Sequence, residues 1–112
     1  MQAEQRKSKR FELRLPIELI RSGGEPLNKL TETRNVSSGG VLFDSEKQLA
    51  VGEPIEYFLT LPTGAKDGGN VRLHCVGTII RLESNQRRNN KEKPFHVAAT
   101  LERYEFVRAN RY

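Results

Sequence analysis

Apolar and polar residues alternate along the first part of the chain. Between residues 11 and 19 the apolar side chains fall at positions 11, 13, 15, 17 and 19, with polar residues or proline between them. A period of two places alternate side chains on opposite faces of a strand, so this segment is predicted to be a β-strand with one buried face. Because Pro16 has no backbone N–H, we expect it at a sheet edge or a bulge.

Further short apolar runs predict five more strands. Clusters of glycine, proline and asparagine separate the runs, as turns require, and one of these turns covers residues 22–26. The predicted strands cover residues 29–36, 40–43, 55–61, 71–82 and 95–101. Gly77 lies at the centre of the fifth strand of the chain, where a barrel strand can bend sharply. Residues 102–112 are predicted to form a short helix, with Tyr104, Val107 and Arg108 facing the barrel.

Six strands joined by glycine-rich turns predict an all-β fold, either an antiparallel barrel or a sandwich. A six-stranded barrel is favoured because closure removes exposed strand edges. Phe11, Phe43 and Phe58 are predicted to face its interior. A chain of 112 residues suffices for one modest hydrophobic core. We therefore expect one barrel domain over residues 11–112, preceded by a flexible basic arm at residues 1–10.

The charge of the chain favours an anionic partner. Nineteen Lys and Arg residues against 14 Asp and Glu residues give a net charge of +5. Basic residues are concentrated in the arm, within residues 6–10, and in a predicted loop at residues 86–93. A nucleotide, a nucleic acid and an anionic membrane all fit this distribution.

Several other classes of protein are disfavoured. No apolar run approaches the roughly 20 residues that span a bilayer, and the first ten residues lack the apolar stretch of a secretory signal. The lone Cys75, predicted to lie in a buried strand, fits a reducing compartment, so we expect a cytoplasmic protein. His74 and His96 lie in predicted strands without a partner at metal-binding spacing. No nucleophile and base can be paired, so no catalysis, metal or cofactor is predicted.

Two short motifs remain to be explained. Arg6 and Arg10 stand four residues apart, immediately before the first strand. The sequence Asn35-Val36-Ser37-Ser38-Gly39-Gly40 joins the second and third strands. Alone, the first is typical of a basic tail and the second of an ordinary turn.

Together, these motifs make the chain resemble the PilZ family. Members carry Arg-x-x-x-Arg before the first strand and Asp/Asn-x-Ser-x-x-Gly about one hairpin later, and Arg6, Arg10, Asn35, Ser37 and Gly40 match these positions. The resemblance extends over nearly the whole chain and implies a β-barrel that binds the bacterial second messenger cyclic di-GMP. Gln5 stands where many members have another arginine, so the resemblance leaves the number of bound ligand molecules open.

The chemistry of these residues suits the implied ligand. The planar fork of an arginine such as Arg6 or Arg10 can donate two hydrogen bonds to guanine O6 and N7. Asn35 and Ser37 supply further donors and acceptors for base or phosphate. Gly39 and Gly40 are expected to adopt positive φ and to let backbone approach the ligand closely. Binding would order the arm into a new surface for an effector protein.

Two alternatives stay open. A small basic barrel can bind nucleic acid through its arm and a basic loop, although bases usually stack on exposed aromatic residues, which make up only 7% of this chain. Some PilZ-like proteins act as adaptors that bind protein and no nucleotide; the intact motifs count against this possibility.

Overall fold

The computed structural model describes residues 13–62, 69–84 and 95–107. Within these residues the chain is all-β, with seven strands and no helix. In chain order the strands are β1 (Pro16–Ser22), β2 (Glu25–Ser37), β3 (Gly40–Ser45), β4 (Pro54–Pro62), β5 (Asn70–Ser84), β6 (Phe95–Thr100) and β7 (Arg103–Val107).

Six of these strands close into an antiparallel barrel. They follow the order β4-β1-β2-β3-β6-β5, and pairing of β4 with β5 completes the ring. The two longest strands change partners along their length. β2 pairs first with β1 and then with β3, and β5 pairs first with β4 and then with β6. The predicted all-β, six-stranded antiparallel barrel is confirmed.

The barrel interior is filled by alternate side chains of the strands. Buried and less buried residues alternate along β3 and β4, as expected when one face of a strand packs against the core. Each fully buried large apolar side chain stabilises the fold by about 1.5–3 kcal/mol relative to exposure. The largest fully buried side chains are Tyr57, Phe43, Ile17, Ile55, Ile79, Val97, Thr33 and Cys75.

The first two strands differ from their predicted limits. β1 begins at Pro16 rather than at residue 11, and it pairs with β2 on one side and β4 on the other. Pro16 is therefore neither on an edge nor in a bulge; it occupies the first position of a strand, which also tolerates a missing N–H. β2 begins at Glu25, because Gly23 and Gly24 adopt φ of 59° and 86° and complete the turn by themselves.

The predicted C-terminal helix is wrong for the residues that the structure describes. Residues 103–107 form β7, which pairs with the first half of β5 and places Tyr104 opposite Cys75. Pairing with β5 satisfies backbone groups that a helix would leave unmatched on that strand. Tyr104 does not face the barrel core as predicted, since 57% of its surface is exposed; Val107 is partly buried and Arg108 lies outside the described residues.

The predicted inward orientation of Phe58 is also wrong. Phe58 lies between the buried residues Tyr57 and Leu59, so its side chain is on the outer face of β4. There it packs beneath the guanidinium of Arg72, at 4.1 Å from the ring centroid, and beside the ring of His74. Phe43 does face the core, and Phe11 lies outside the described residues.

Gly77 lies where two strands approach closely. A Cβ atom on Gly77 would stand 1.8 Å from the backbone oxygen of Thr100, far inside contact distance. That same oxygen accepts a hydrogen bond of 3.2 Å from the Tyr57 hydroxyl. The Thr100 hydroxyl in turn accepts a bond of 2.9 Å from the Thr78 N–H. Only glycine fits here, because any side chain would displace the last residue of β6.

We expect Gly77→Ala to reduce the free energy of unfolding by about 2 kcal/mol or more, since overpacking against rigid backbone costs about 1–3 kcal/mol. Urea denaturation followed by circular dichroism measures this change. Gly39→Ala is the matched control, because a Cβ on Gly39 meets nothing within 4 Å. Equal stability of the two variants would contradict the packing argument.

The thiol of Cys75 makes the stability of the barrel sensitive to alkaline pH. The residue is fully buried, and this burial raises the pKa of Cys75 from 9.0 to about 11. Because the unfolded chain loses the thiol proton at lower pH than the folded chain, the folded state is favoured fully below pH 9. This contribution is lost as the pH rises through the folded pKa. Burial also raises the pKa of Tyr57, which acts in the same direction.

We therefore expect the free energy of unfolding to fall as the pH increases from 9 to 11. In Cys75→Ala the starting stability is lower, but the slope against pH between these values is shallower. Urea denaturation at a series of pH values tests both statements. Parallel slopes for the wild type and Cys75→Ala would show that the thiol does not contribute.

Candidate ligand-binding groove

A groove crosses the outer face of the barrel where β2, β3, β6 and β5 lie side by side. Asn35 pairs with Leu42, Leu42 with Ala98, and Ala98 with Arg81, so these four residues form one row across the sheet. Leu42 and Ala98 make a small apolar floor, and Asn35 and Arg81 make polar walls. A flat apolar floor between polar edges suits a planar, polar-edged ligand.

Two β-bulges determine that the polar side chains at the two ends of this row face outward. The β2–β3 register shifts between Thr33 and Asn35, and the β5–β6 register shifts between Ile79 and Arg81. Thr33 and Ile79 face the core, and regular alternation would direct the residues two positions later inward as well. The extra residue in each bulge reverses the alternation. Asn35 and Arg81 therefore reach the outer face on opposite sides of the groove.

The groove has two connected parts. The first, of about 320 Å³, extends from the row towards the β2–β3 turn. The second, of about 610 Å³, extends in the opposite direction towards His96 and Glu83. Both parts share the row of Asn35, Leu42, Ala98 and Arg81. Their volumes are in the range of about 300–1,000 Å³ that small-molecule sites occupy.

The predicted turn residues lie together in the first part of the groove. Asn35, Ser37, Gly39 and Gly40 all line it. The Ser37 hydroxyl oxygen accepts a hydrogen bond of 3.2 Å from the Gly39 N–H, which holds the turn and leaves the hydroxyl proton free to donate. The predicted site residues Arg6 and Arg10 lie outside the described residues.

The second part of the groove contains an ionic cluster that sequence reasoning missed. The Asp44 carboxylate contacts the two basic residues of this cluster. One of its oxygens lies 3.1 Å from Nη1 of Arg34, and the other lies 2.7 Å from Nδ1 of His96. Asp44 and His96 are direct partners across β3 and β6, a pairing that spacing along the sequence does not reveal. His74 likewise has a carboxylate partner, Glu56, at 2.6 Å.

Thr33 fixes the point at which the chain enters the barrel. Its buried hydroxyl donates a hydrogen bond of 2.6 Å to the Leu13 carbonyl and accepts one of 2.9 Å from the Leu15 N–H. The Thr33 N–H also donates to the Leu15 carbonyl, at 2.9 Å. This pairing continues the antiparallel register of Pro16 with Glu32. Because this pairing is antiparallel, the segment from Leu15 back to Leu13 runs beside β2 towards the β2–β3 turn.

Comparison with known proteins identifies the fold family. The family model described as PilZ domain matches residues 4–104. The chain belongs to the PilZ family. Searches of curated proteins and of solved structures gave no match. PilZ domains are in general receptors that bind cyclic di-GMP.

Two further searches concern other kinds of site in this PilZ domain. Within residues 13–62, 69–84 and 95–107, no group of three or more His, Cys, Asp or Glu side chains is arranged to hold a metal ion. The same residues contain no helix that is long and apolar enough to span a membrane.

The two glycines of the PilZ turn have different structural roles. Neither has the positive φ that we expected; among the described glycines, only Gly23, Gly24 and Gly52 do. Gly40 is instead required by packing, since a Cβ there would lie 2.3 Å from the Ala99 backbone oxygen. A Cβ on Gly39 would point into open space. Of these two turn glycines, packing of the barrel therefore requires only Gly40.

We expect Gly40→Ala to destabilise the PilZ domain by about 1–3 kcal/mol, because β3 must move away from β6 to admit the methyl group. Gly39→Ala should change stability by no more than about 0.5 kcal/mol, as surface substitutions usually do. Thermal unfolding of the two single variants measures the difference. The explanation fails if both variants melt at the wild-type temperature.

Proposed function

We propose that this PilZ domain is a non-catalytic receptor for cyclic di-GMP. Its binding site consists of Arg6, Arg10, Asn35, Ser37, Gly39 and Gly40. The observation that carries the proposal is the position of Asn35: its side chain is partly buried in the groove wall and has no hydrogen-bond partner among the described residues. An amide in the groove wall that no described residue bonds is available to donate to and accept from a ligand.

The arginine pair is within reach of this groove. Arg10 precedes Leu13 by three residues, so its Cα lies within about 11 Å of the Leu13 Cα in any conformation of the chain. The Leu13 carbonyl is bonded to Thr33, which is two residues before Asn35 on β2. This bound keeps Arg10 near the strand that carries Asn35. The covalent connection thus supports a site made jointly by the arm and the groove.

The chemistry of the combined site suits a guanine nucleotide. The guanidinium forks of Arg6 and Arg10 can bond O6 and N7 of guanine and can stack on the base. Asn35 can bond a remaining edge of the base, and the free proton of the Ser37 hydroxyl can donate to a phosphate oxygen. A net charge of +5 favours approach of the doubly anionic ligand.

The signal in this proposal is the ordering of the arm. Residues 1–10 contain too few apolar side chains to bury a surface of their own, so ligand contacts would supply the free energy that orders them. The arm and the ligand together would form a new surface for an effector protein in a bacterial cytoplasm. The lone cysteine, which is buried, fits that compartment.

Isothermal titration of the domain with cyclic di-GMP at physiological salt tests the proposal, with GMP and cyclic di-AMP as control ligands. We expect saturable binding that is selective for cyclic di-GMP. Arg10→Lys should reduce the affinity at least tenfold, because lysine keeps the charge but cannot make the paired bonds to guanine.

Absence of binding by the wild type would contradict the receptor proposal and favour a PilZ adaptor that binds only protein. Wild-type affinity in Arg10→Lys would instead remove the guanine-reading role of that residue. Comparable binding of any oligonucleotide, with a steep loss of affinity as salt is raised, would favour nucleic-acid binding.

A further inference from the structure

The second part of the groove is organised by the Asp44 carboxylate. Its two oxygens contact Nη1 of Arg34 and Nδ1 of His96, which come from the strands on either side of β3. The Asp44 side chain is 25% exposed and that of His96 30% exposed, so the pair is partly shielded from water. Two contacts on opposite sides fix the rotation of the carboxylate. The imidazole ring that it holds is therefore fixed in orientation as well.

This arrangement sets which nitrogen of His96 carries the proton. An ionised carboxylate can only accept hydrogen bonds, so Nδ1 of His96 is the donor to Asp44. In the neutral ring the other nitrogen, Nε2, is then an acceptor. Within the described part of the chain, no residue bonds to Nε2, and His96 lines the groove. With a neutral His96 ring, the second part of the groove thus presents a hydrogen-bond acceptor beside an apolar floor.

The position of this acceptor relates it to the turn. His96 precedes Ala98 by two residues on β6. The cross-strand row that contains His96 and Asp44 therefore lies about 7 Å along the strands from the row of Asn35 and Arg81. The β2–β3 turn lies on the other side of that row, where Gly40 pairs with Thr100. A ligand with two bases that is held at the turn by one base can therefore place its other base in the same groove.

We propose that His96 recognises the second guanine of cyclic di-GMP. The base lies on Leu42 and Ala98, and its N1–H donates to Nε2 of His96; Asp44 is the positioning residue. Adenine presents a ring acceptor where guanine presents N1–H, so it is disfavoured opposite a fixed acceptor. This inference rests on the proposed function, because it assigns the other half of the same ligand.

The chain offers a matched control for this site. His74 is also paired with a carboxylate, at 2.6 Å from Glu56, and its side chain is 29% exposed. It lies in the first half of β5, opposite Phe58 of β4, and does not line the groove. His96→Ala and His74→Ala therefore remove similar histidines from similar environments. Only the first removes the proposed acceptor.

The experiment is calorimetric titration of the wild type, His96→Ala and His74→Ala with cyclic di-GMP and with 3′,3′-cyclic GMP-AMP, which has one guanine and one adenine. We expect His96→Ala to weaken cyclic di-GMP binding about tenfold, the effect of losing one buried hydrogen bond and leaving its donor unmatched. Binding of the mixed dinucleotide should change little, so the preference between the two ligands largely disappears. His74→Ala should bind both ligands as the wild type does.

Two further variants and a spectroscopic measurement test the roles of His96 and Asp44. His96→Gln keeps an acceptor on a shorter side chain and should recover part of the preference for cyclic di-GMP. Asp44→Asn removes the ionised partner, so the ¹⁵N chemical shifts of the His96 ring should lose the signature of a single tautomer, and the preference should fall. Retained preference in Asp44→Asn would overturn the positioning role of Asp44.

The outcomes separate this inference from the receptor proposal. If the wild type binds, Arg10→Ala abolishes binding and His96→Ala binds as the wild type does, the second-guanine site is wrong and the receptor proposal stands. Equal weakening of both dinucleotides by His96→Ala would also overturn base recognition, since it indicates a contact with phosphate or ribose. If the wild type binds neither dinucleotide, both proposals fail.

Discussion

Two β-bulges determine which side chains the barrel displays beside its β2–β3 turn. Each bulge inserts one residue, between Thr33 and Asn35 on one strand and between Ile79 and Arg81 on another. The insertion lets a strand bury one residue and still expose the residue two positions later. Without the two insertions, the polar walls of the groove would face the core, where an unpaired amide or guanidinium is strongly destabilising. The groove and the stable interior therefore depend on the same two irregularities.

The bulge on β2 also connects the groove to the entry of the chain. Thr33, immediately before the bulge, directs its hydroxyl to the backbone of Leu13 and Leu15. Loss of this hydroxyl would leave a buried carbonyl and N–H without these bonds. Thr33 thus fixes the first described residues of the chain. Asn35, two positions later on β2, forms a wall of the groove. The first described residues of the chain are therefore anchored on the strand that also forms one wall of the groove.

Alternation of apolar residues was sufficient to predict the six barrel strands and their antiparallel closure, but not β7, which was predicted as a helix. It could not predict contacts between residues that are distant in sequence: Asp44 and His96 are 52 positions apart, and only the register of β3 with β6 brings them together. The inserted residues had a weak signal in the sequence. Ile79, Ile80 and Leu82 interrupt regular alternation, and Ile80 is 55% exposed. Such interruptions mark where a barrel strand changes the face that it presents.

The residues of the turn motif carry unequal information about function. Gly40 is fixed by the packing of β3 against β6, so a barrel that had lost its ligand would still require glycine there. Asn35 is different, since no described residue bonds to its side chain and the bulge places that side chain on the outer face of the barrel. The Ser37 hydroxyl holds the turn and still has a proton to donate. Under the proposed function, Asn35 therefore carries more information about the ligand than Gly40 does.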